Sequence, residues 1–370
     1  MNALSHADTV HWERHEMCVM SRATEISNNV WIGSTADCGL DHPAPRSNQE
    51  DYDILIEASD MAQMPSSEAL CSVMDMLEKT EETQMVEFPS SGSIMPPTWS
   101  QAEVDGILEM CRWIHELANP DELLDVEEKK DSDGDSQMAS SSSTPRRMLI
   151  HCTDGYTETS LLALAYFMYA NGLPVHDAWL QLHCEKNRNF FAYPSDVALL
   201  LNIQSRIMHE SPTQRSPTNI REPQWLRRMD GSLPSRVLPY MYLGNLGHAN
   251  NPELLQAMGI RRILSVGEAV SWSKEEKEKW NKDDILLIDR VQDNGVDPLT
   301  EEFSRCLEFI GILERPFSRV EEIFFADGWI EKGKKDGVAT LVHCRVGVSR
   351  SATICIAEVM RSQGLSFPRA

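Results

Sequence analysis

The chain contains two copies of one strand, loop and helix segment, and this repeat constrains its fold more than any other feature. When Cys152 is aligned with Cys344, the segments LIHCTDGYTETS and LVHCRVGVSRSA run together. In both copies a short apolar strand ends at the cysteine, and a glycine, Gly155 or Gly347, follows three residues later. An apolar helical stretch comes next and stops at a second glycine, the residue favoured just beyond a helix end. These second glycines are Gly172 and Gly364. The repeat predicts two homologous α/β domains.

Composition indicates where these domains begin and end. Residues 209–222 are polar and contain proline, so they predict a linker between a first domain, 1–208, and a second, 223–370. Residues 125–147 are acidic and then rich in serine, which predicts a disordered insert in the first domain. This insert is expected to be a solvated surface loop, with a phosphorylated regulatory segment as the alternative. Each domain is expected to hold a central, mostly parallel sheet flanked by helices.

Charge and cysteine usage exclude several classes of function. The formal net charge is −23, which argues against a nucleic-acid partner because phosphate backbones would be repelled. The sequence has no apolar run long enough to cross a membrane, and its first residues lack the pattern of a secretory signal. The nine cysteines are irregularly spaced, which does not suit a disulfide framework. These observations predict the cytoplasm or the nucleus, with no membrane partner.

The second loop, VHCRVGVSRS, has the residues of a nucleophilic anion site. A cysteine is reactive as a thiolate, which forms most readily at a helix N-terminus beside a cation. Cys344 closes a strand and the predicted helix Ser351–Arg361 follows, so the amides between them can turn inward around an anion. Gly347 permits the tight turn, and Arg350 can offer a planar fork to two phosphate oxygens. Ser351 can donate a hydrogen bond to the sulfur.

The spacing of this loop, His-Cys-x5-Arg-Ser, resembles the signature of protein-tyrosine phosphatases. The resemblance implies that Cys344 forms a phosphocysteine intermediate and that no metal or cofactor takes part. It also makes the loop residues the binding site of the substrate phosphate, namely Arg345, Val346, Gly347, Val348, Ser349 and Arg350. The one additional cation, Arg345, weakly favours a phosphoprotein over a polyphosphorylated lipid.

Segments upstream of the loop resemble dual-specificity phosphatases in particular. Residues 234–268 contain a Tyr-x-Leu-Gly-Asn turn, a helical stretch and an Ile-Leu-Ser-Val strand, as at the start of that family's domain. Residues 285–303 resemble the segment that carries the family's general acid. The resemblance selects Asp293, six residues before Leu299, and Asp297 and Asp289 remain competitors.

The first loop, IHCTDGYTETS, has lost the features that would hold a phosphate. Glu158 stands where the second copy has Arg350, and Asp154 adds another carboxylate. Both carboxylates are expected to repel a phosphate dianion and to raise the pKa of Cys152, which keeps it a thiol. Residues 85–99 also offer no aspartate for a general acid.

The first domain is therefore predicted to be a pseudophosphatase. It can serve as a docking or regulatory module or as a folding scaffold. A metal site is the least favoured alternative, because adjacent strand residues point to opposite faces. Its candidate ligands are His151, Cys152, His183 and Cys184.

Taken together, the two copies resemble fungal dual-specificity phosphatases of the S-phase tandem type. The resemblance covers residues 28–118, 146–208 and 223–370. It implies activity on phosphotyrosine in proteins and leaves open activity on phosphoserine and phosphothreonine.

Two features depart from that family. Residues 311–330 form an atypical insert, either an inserted loop or a translated intron, with the intron favoured. The chain stops at Ala370, which aligns with Ala178, so the second copy is expected to lack its last helices. This polypeptide is therefore expected to be poorly soluble or weakly active, and the alternative function is a silent phosphoprotein-binding or scaffold fragment.

Overall fold

The computed structural model of the chain forms two compact units. It describes residues 22–39, 52–94, 100–120, 144–186, 188–213, 221–291, 299–311 and 339–369. Unit 1 comprises Met1–Leu182 and Phe190–Arg221, and unit 2 comprises His183–Asn189 and Glu222–Ala370. The division between Arg221 and Glu222 falls inside the predicted linker, whereas His183–Asn189, predicted as part of the first domain, is grouped with unit 2.

Unit 1 is built on a five-stranded sheet. Its strands are β1 (Thr24–Ser27), β2 (Val30–Ser34), β3 (Ile54–Ser59), β4 (Gln84–Pro89) and β5 (Met148–Cys152). The spatial order is β1-β2-β5-β3-β4, and all neighbours run parallel except the antiparallel pair β1 and β2. The central strand β5 is buried along its whole length, as expected for a parallel strand that is covered on both faces.

Unit 1 has five helices among the described residues. They are α1 (Ser67–Lys79), α2 (Gln101–Ala118), α3 (Ser160–Asn171), α4 (Val175–Cys184) and α5 (Pro194–Glu210), with a 3-10 turn at Thr35–Cys38. The last two residues of α4 are grouped with unit 2. The helix that follows the loop, α3, is apolar on every side and nearly all of its residues are buried. It packs against α2 and α5, so it lies in the interior and not at the surface.

Unit 2 repeats the same sheet. Its strands are β6 (Ser235–Leu238), β7 (Met241–Gly244), β8 (Ile260–Val266), β9 (Ile285–Ile288) and β10 (Ala339–His343). The order β6-β7-β10-β8-β9 matches that of unit 1 strand for strand, and again only the first pair is antiparallel. The prediction of tandem α/β domains with mostly parallel sheets is confirmed.

The described part of unit 2 also has five helices, most of them shorter than those of unit 1. They are α6 (Leu246–Ala249), α7 (Pro252–Ala257), α8 (Lys274–Glu278), α9 (Phe303–Gly311) and α10 (Arg350–Gln363). Short 3-10 turns lie at Leu226–Arg228, Lys282–Asp284, Leu299–Glu302 and Phe367–Arg369. A hydrophobic core joins α9 and α10 to the sheet, with Val342, Ile354 and Phe309 among its members.

Glycine ends the helix after each loop, as predicted. Gly172 caps α3 with φ 60° and ψ 39°, and Gly364 caps α10 with φ 65° and ψ 26°. This left-handed conformation costs a glycine little and other residues more.

The segments with unusual composition are only partly described. Residues 125–143 and 312–330, which hold most of the two predicted inserts, lie outside the described residues, and Gly311 is the last residue of α9. Helix α5 continues to Glu210, two residues into the predicted linker, because the buried Ile207 and Met208 keep its last turn against unit 1. Over the described part of the chain, every helix is too short or too polar to cross a membrane.

The packing of β5 predicts a large cost for shortening a central side chain. Ile150 is fully buried, so Ile150→Ala should lower the free energy of unfolding by about 2–5 kcal/mol through lost burial and a residual cavity. Met85 is 57% exposed on β4, so Met85→Ala should change it by less than about 0.5 kcal/mol. Urea unfolding of the full chain measures both, and equal losses would contradict the described burial.

Candidate active site

The loop that carries Cys344 lies at the carboxyl end of the central strand of unit 2. Strand β10 ends at His343, and α10 begins at Arg350, so the loop between them spans only six residues. The N-terminus of α10 therefore faces the loop, and the positive end of its dipole favours an anion there.

The sulfur of Cys344 lies at the base of this loop. The residue is 2% exposed, and its Sγ accepts hydrogen bonds from the Gly347 amide at 3.2 Å and from the Ser351 hydroxyl at 3.1 Å. Burial on its own raises the pKa of this thiol. Hydrogen bonds from the Ser351 hydroxyl and from the amides of Ser351, Gly347 and Ser349 outweigh that effect, so the pKa lies below its ordinary value. The geometry favours a thiolate.

Gly347 allows the loop to curl around the sulfur. Its φ is +90°, and a Cβ at this position would lie 2.8 Å from the carbonyl oxygen of Gly244 at the end of β7. A side chain would therefore meet rigid backbone as well as an unfavourable φ. The loop backbone and strand β7 fit together only with glycine here.

Arg350 lies between the loop and the end of β8. Its Nη1 donates to the carbonyl oxygen of Val291 at 3.2 Å. A Cβ on Gly267 would overlap this guanidinium, so glycine after β8 leaves the space that the arginine occupies. Neither Gly267 nor Val291 is predictable as a site residue from the sequence, because their contacts with Arg350 join segments far apart in the chain.

His343 supports the loop from the buried side. Its Nδ1 lies 3.4 Å from the carbonyl oxygen of Cys344, which can only accept, so Nδ1 donates. Its Nε2 lies 2.7 Å from Ser265 Oγ and accepts from that hydroxyl in the neutral ring. Burial is the main cause that lowers the pKa of His343 to about 4, so the ring is uncharged near neutral pH. A histidine precedes the cysteine in both copies of the repeat, as His343 and His151, and this match is a signal that could have indicated the residue.

The remaining loop side chains form an exposed rim. Arg345 Nε lies 3.3 Å from Glu268 Oε1, and the arginine side chain is 73% exposed. Val346 and Val348 are 64% and 74% exposed, although both are apolar. The structure thus presents one paired cation and two apolar side chains beside the loop.

The candidate general acids are only partly described. Asp293 and Asp297 lie outside the described residues. Asp289 follows β9 and is exposed. The choice among the three stays a prediction.

The first loop has the same backbone shape as the second, but the pKa of its cysteine is shifted in the opposite direction. Gly155 has φ +69°, and a Cβ there would lie 2.5 Å from the carbonyl group of Gly33, which matches the approach of Gly347 to Gly244. Cys152 is also 2% exposed, and its sulfur accepts from the Gly155 amide at 3.1 Å. The backbone cradle is therefore present in both units.

The pKa of Cys152 is raised to about 12, first by burial and then by Glu158. The direction of this shift and the contribution of Glu158 to it agree with the prediction, whereas repulsion of a phosphate by Glu158 stays a prediction. Asp154 has two opposite effects, because its backbone amide lowers the pKa of Cys152 whereas its carboxylate accepts from the thiol at 3.4 Å and so favours the protonated form. The Thr159 hydroxyl, at the position of Ser351, has no hydrogen-bond partner in the described part of unit 1. The first loop therefore keeps a protonated thiol.

Within the described residues, one group of side chains has the spacing of metal ligands. Single donor atoms of Cys152, Asp154 and Glu158 all lie within 4.8 Å of one another. The quartet considered from the sequence, which includes His151, is not such a group. Three residues of this kind do not make a metal site without a further sign of a ligand.

Comparison with known families finds a match within unit 2. Residues 241–370 match the family model described as the catalytic domain of dual specificity phosphatases. Most of unit 2 is therefore similar to the catalytic domain of dual specificity phosphatases. The match contains the loop, strands β7 to β10 and helix α10, which are the elements that build the site.

Individual relatives extend this similarity over most of the chain. Dual specificity protein phosphatase PPS1 of Saccharomyces cerevisiae is 28% identical over an alignment that covers 85% of this chain and 43% of that protein. Dual specificity protein phosphatase 2 of Homo sapiens is 29% identical over 37% of this chain and 35% of its own length. The chain thus spans less than half of the length of either relative.

Among solved structures, the crystal structure of DUSP15 is similar to part of the chain. It is 26% identical, covers 37% of this chain and 70% of its own, and has a TM-score of 0.28.

The opposite pKa shifts predict different reactivities for the two loop cysteines. At pH 7 iodoacetamide should modify Cys344 and leave Cys152 unmodified, because the thiolate is the nucleophile. A lowered pKa means that the thiolate of Cys344 persists below the pH at which an ordinary cysteine is protonated. Ser351→Ala should raise the pH at which the modification rate of Cys344 is half-maximal, because it removes a hydrogen bond to the sulfur. Thr159→Ala is the matched control and should leave it unchanged. Peptide mapping by mass spectrometry across a pH series measures the rates, and equal modification of both cysteines would refute the assignment.

Proposed function

We propose that unit 2 is a protein phosphatase that hydrolyses phosphotyrosine through a phosphocysteine intermediate. Phosphoserine and phosphothreonine are the further substrates that the family allows. The observation that carries the proposal is the buried sulfur of Cys344, which accepts hydrogen bonds from Ser351 and Gly347 in the loop that ends at Arg350. A lowered thiol pKa favours this enzyme over the alternative of a silent phosphoprotein-binding fragment.

In the first step the Cys344 thiolate attacks the phosphorus and the bond to the substrate oxygen breaks. The loop amides and the fork of Arg350 hold the equatorial oxygens, where charge is concentrated in the transition state. Asp293 gives its proton to the departing oxygen, so that tyrosine leaves as a neutral phenol. The phosphoryl group is then bonded to sulfur.

In the second step water attacks the phosphocysteine. The Asp293 carboxylate accepts a proton from that water, and the sulfur leaves as a thiolate with inorganic phosphate as the product. The Ser351 hydroxyl stabilises the departing thiolate by the hydrogen bond that it already makes at 3.1 Å. The neutral His343 fixes the Cys344 carbonyl group and therefore the orientation of the loop.

We also propose that unit 1 does not hydrolyse phosphate and acts as a docking or regulatory module. The raised pKa of Cys152, and Glu158 in place of an arginine, support this assignment. The substrates are phosphoproteins, and no nucleic acid or membrane takes part. All eight cysteines in the described part of the chain are free thiols, which fits the cytoplasm or nucleus.

Substitution of the loop residues tests the enzyme directly. Cys344→Ser and Arg350→Ala should each lower turnover of p-nitrophenyl phosphate by about a thousandfold or more, because nucleophile and clamp act as a unit. Cys152→Ser is the matched control and should keep turnover within about twofold. Phosphate release from the full chain is the measurement. Residual activity of Cys344→Ser that disappears when Cys152→Ser is added would overturn the assignment of the two units.

The general acid can be identified by comparing three conservative variants. Asp293→Asn should lower kcat by about a hundredfold on a phosphotyrosine peptide. When it is added to the inactive Cys344→Ser chain, the affinity for the same peptide should stay unchanged. Asp289→Asn and Asp297→Asn are the matched controls and should stay close to the parent enzyme. The basic-side pH dependence of kcat should also disappear in the correct variant. The same loss in a control, and not in Asp293→Asn, would move the role to that residue.

A further inference from the structure

The two arginines of the second loop meet two consecutive residues at the end of β8. Gly267 makes room for the guanidinium of Arg350 by lacking a side chain. Glu268, the next residue, places Oε1 3.3 Å from Nε of Arg345. The turn after β8 thus leaves space for Arg350 and places a negative charge beside Arg345.

The pair of Arg345 and Glu268 changes what the rim of the loop can attract. Between Cys344 and Ser351 the cations of the sequence are Arg345 and Arg350, and the mechanism assigns Arg350 to the transferred phosphoryl group. Arg345 would otherwise attract a second anion beside the substrate phosphate. Because Glu268 is 30% exposed and lies against it, an approaching carboxylate or phosphate meets both charges and gains little.

The other exposed side chains of the rim carry no charge. Val346 and Val348 are 64% and 74% exposed, and they lie on either side of Gly347 in the loop. They offer apolar surface to residues that flank a phosphotyrosine, and an acidic residue placed there would lose hydration without gaining an ion pair.

We propose that Glu268 is a specificity-determining residue, which makes unit 2 select singly phosphorylated segments whose neighbouring side chains are neutral or apolar. It acts by neutralising Arg345, and it disfavours segments with a second phosphate or a carboxylate next to the phosphotyrosine. The inference rests on the proposed function, since it requires that the loop binds a phosphoryl group.

Binding to the full chain with Cys344→Ser tests this inference without turnover. Two phosphotyrosine peptides are compared, identical except that the flanking residues are alanine in one and aspartate in the other, by fluorescence anisotropy at low ionic strength. The parent chain should bind the alanine peptide more tightly. Adding Glu268→Gln should move the ratio of the two affinities toward the aspartate peptide by about two- to fivefold.

Two further variants separate the ion pair from general charge. Glu278→Gln removes one exposed carboxylate from α8 of the same unit and should leave the ratio unchanged. Arg345→Gln should move the ratio away from the aspartate peptide, because Glu268 would then be unopposed. The shift caused by Glu268→Gln should shrink at high salt, since exposed charges are screened.

The outcomes for the inference and for the enzyme are distinct. An unchanged ratio in Glu268→Gln, or a shift of equal size in Glu278→Gln, overturns the role of Glu268 even if the parent enzyme is active. If Glu268→Gln gives the expected shift but the chain with Cys344 intact has no phosphatase activity, the role of Glu268 is supported and the proposed enzymatic function is refuted. Failure of the Cys344→Ser chain to bind either peptide overturns both.

Discussion

A close approach of two glycines sets the shape of both loops. In unit 2 the α-carbon of Gly347 lies so near the carbonyl group of Gly244 that a Cβ would be 2.8 Å from its oxygen, and Gly155 approaches Gly33 in the same way. This contact turns the backbone back toward the cysteine and directs an amide at the sulfur, at 3.2 Å in unit 2 and 3.1 Å in unit 1. The rest of the site, including the start of the following helix, depends on this turn.

The two loop cysteines are equally buried, but their pKa values are shifted in opposite directions, and this difference comes from the surrounding groups. Cys344 and Cys152 are both 2% exposed, so burial raises the pKa of each thiol. In unit 2 the hydrogen bond from Ser351 and the loop amides reverse that effect, whereas in unit 1 Glu158 adds to it. A few substitutions in a backbone shape that the two units share therefore separate a thiol with a lowered pKa from one with a raised pKa.

The site of unit 2 is assembled from segments that lie far apart in the sequence. Ser265, Gly267 and Glu268 come from the end of β8, and they contact His343, Arg350 and Arg345 respectively. Because neighbouring parallel strands bring their carboxyl ends to one edge of the sheet, the residues after β8 and after β10 meet there. The residues that surround the Cys344 loop, and the residue proposed to set its selectivity, therefore all lie at this edge of the sheet.

The sequence by itself determined the repeat, the α/β class, the strand and helix on each side of the loops, and the presence of Glu158 in the first copy where the second has Arg350. These are local or periodic properties, and a glycine, a charge or an apolar run carries them at a fixed offset. Only the tertiary structure decided that Ser265 orients His343, that Gly267 admits Arg350 and that Glu268 pairs with Arg345. It also decided that burial, more than Glu158, raises the pKa of Cys152. Desolvation and contacts across strands depend on which segments the fold brings together, and no spacing along the chain encodes that distance.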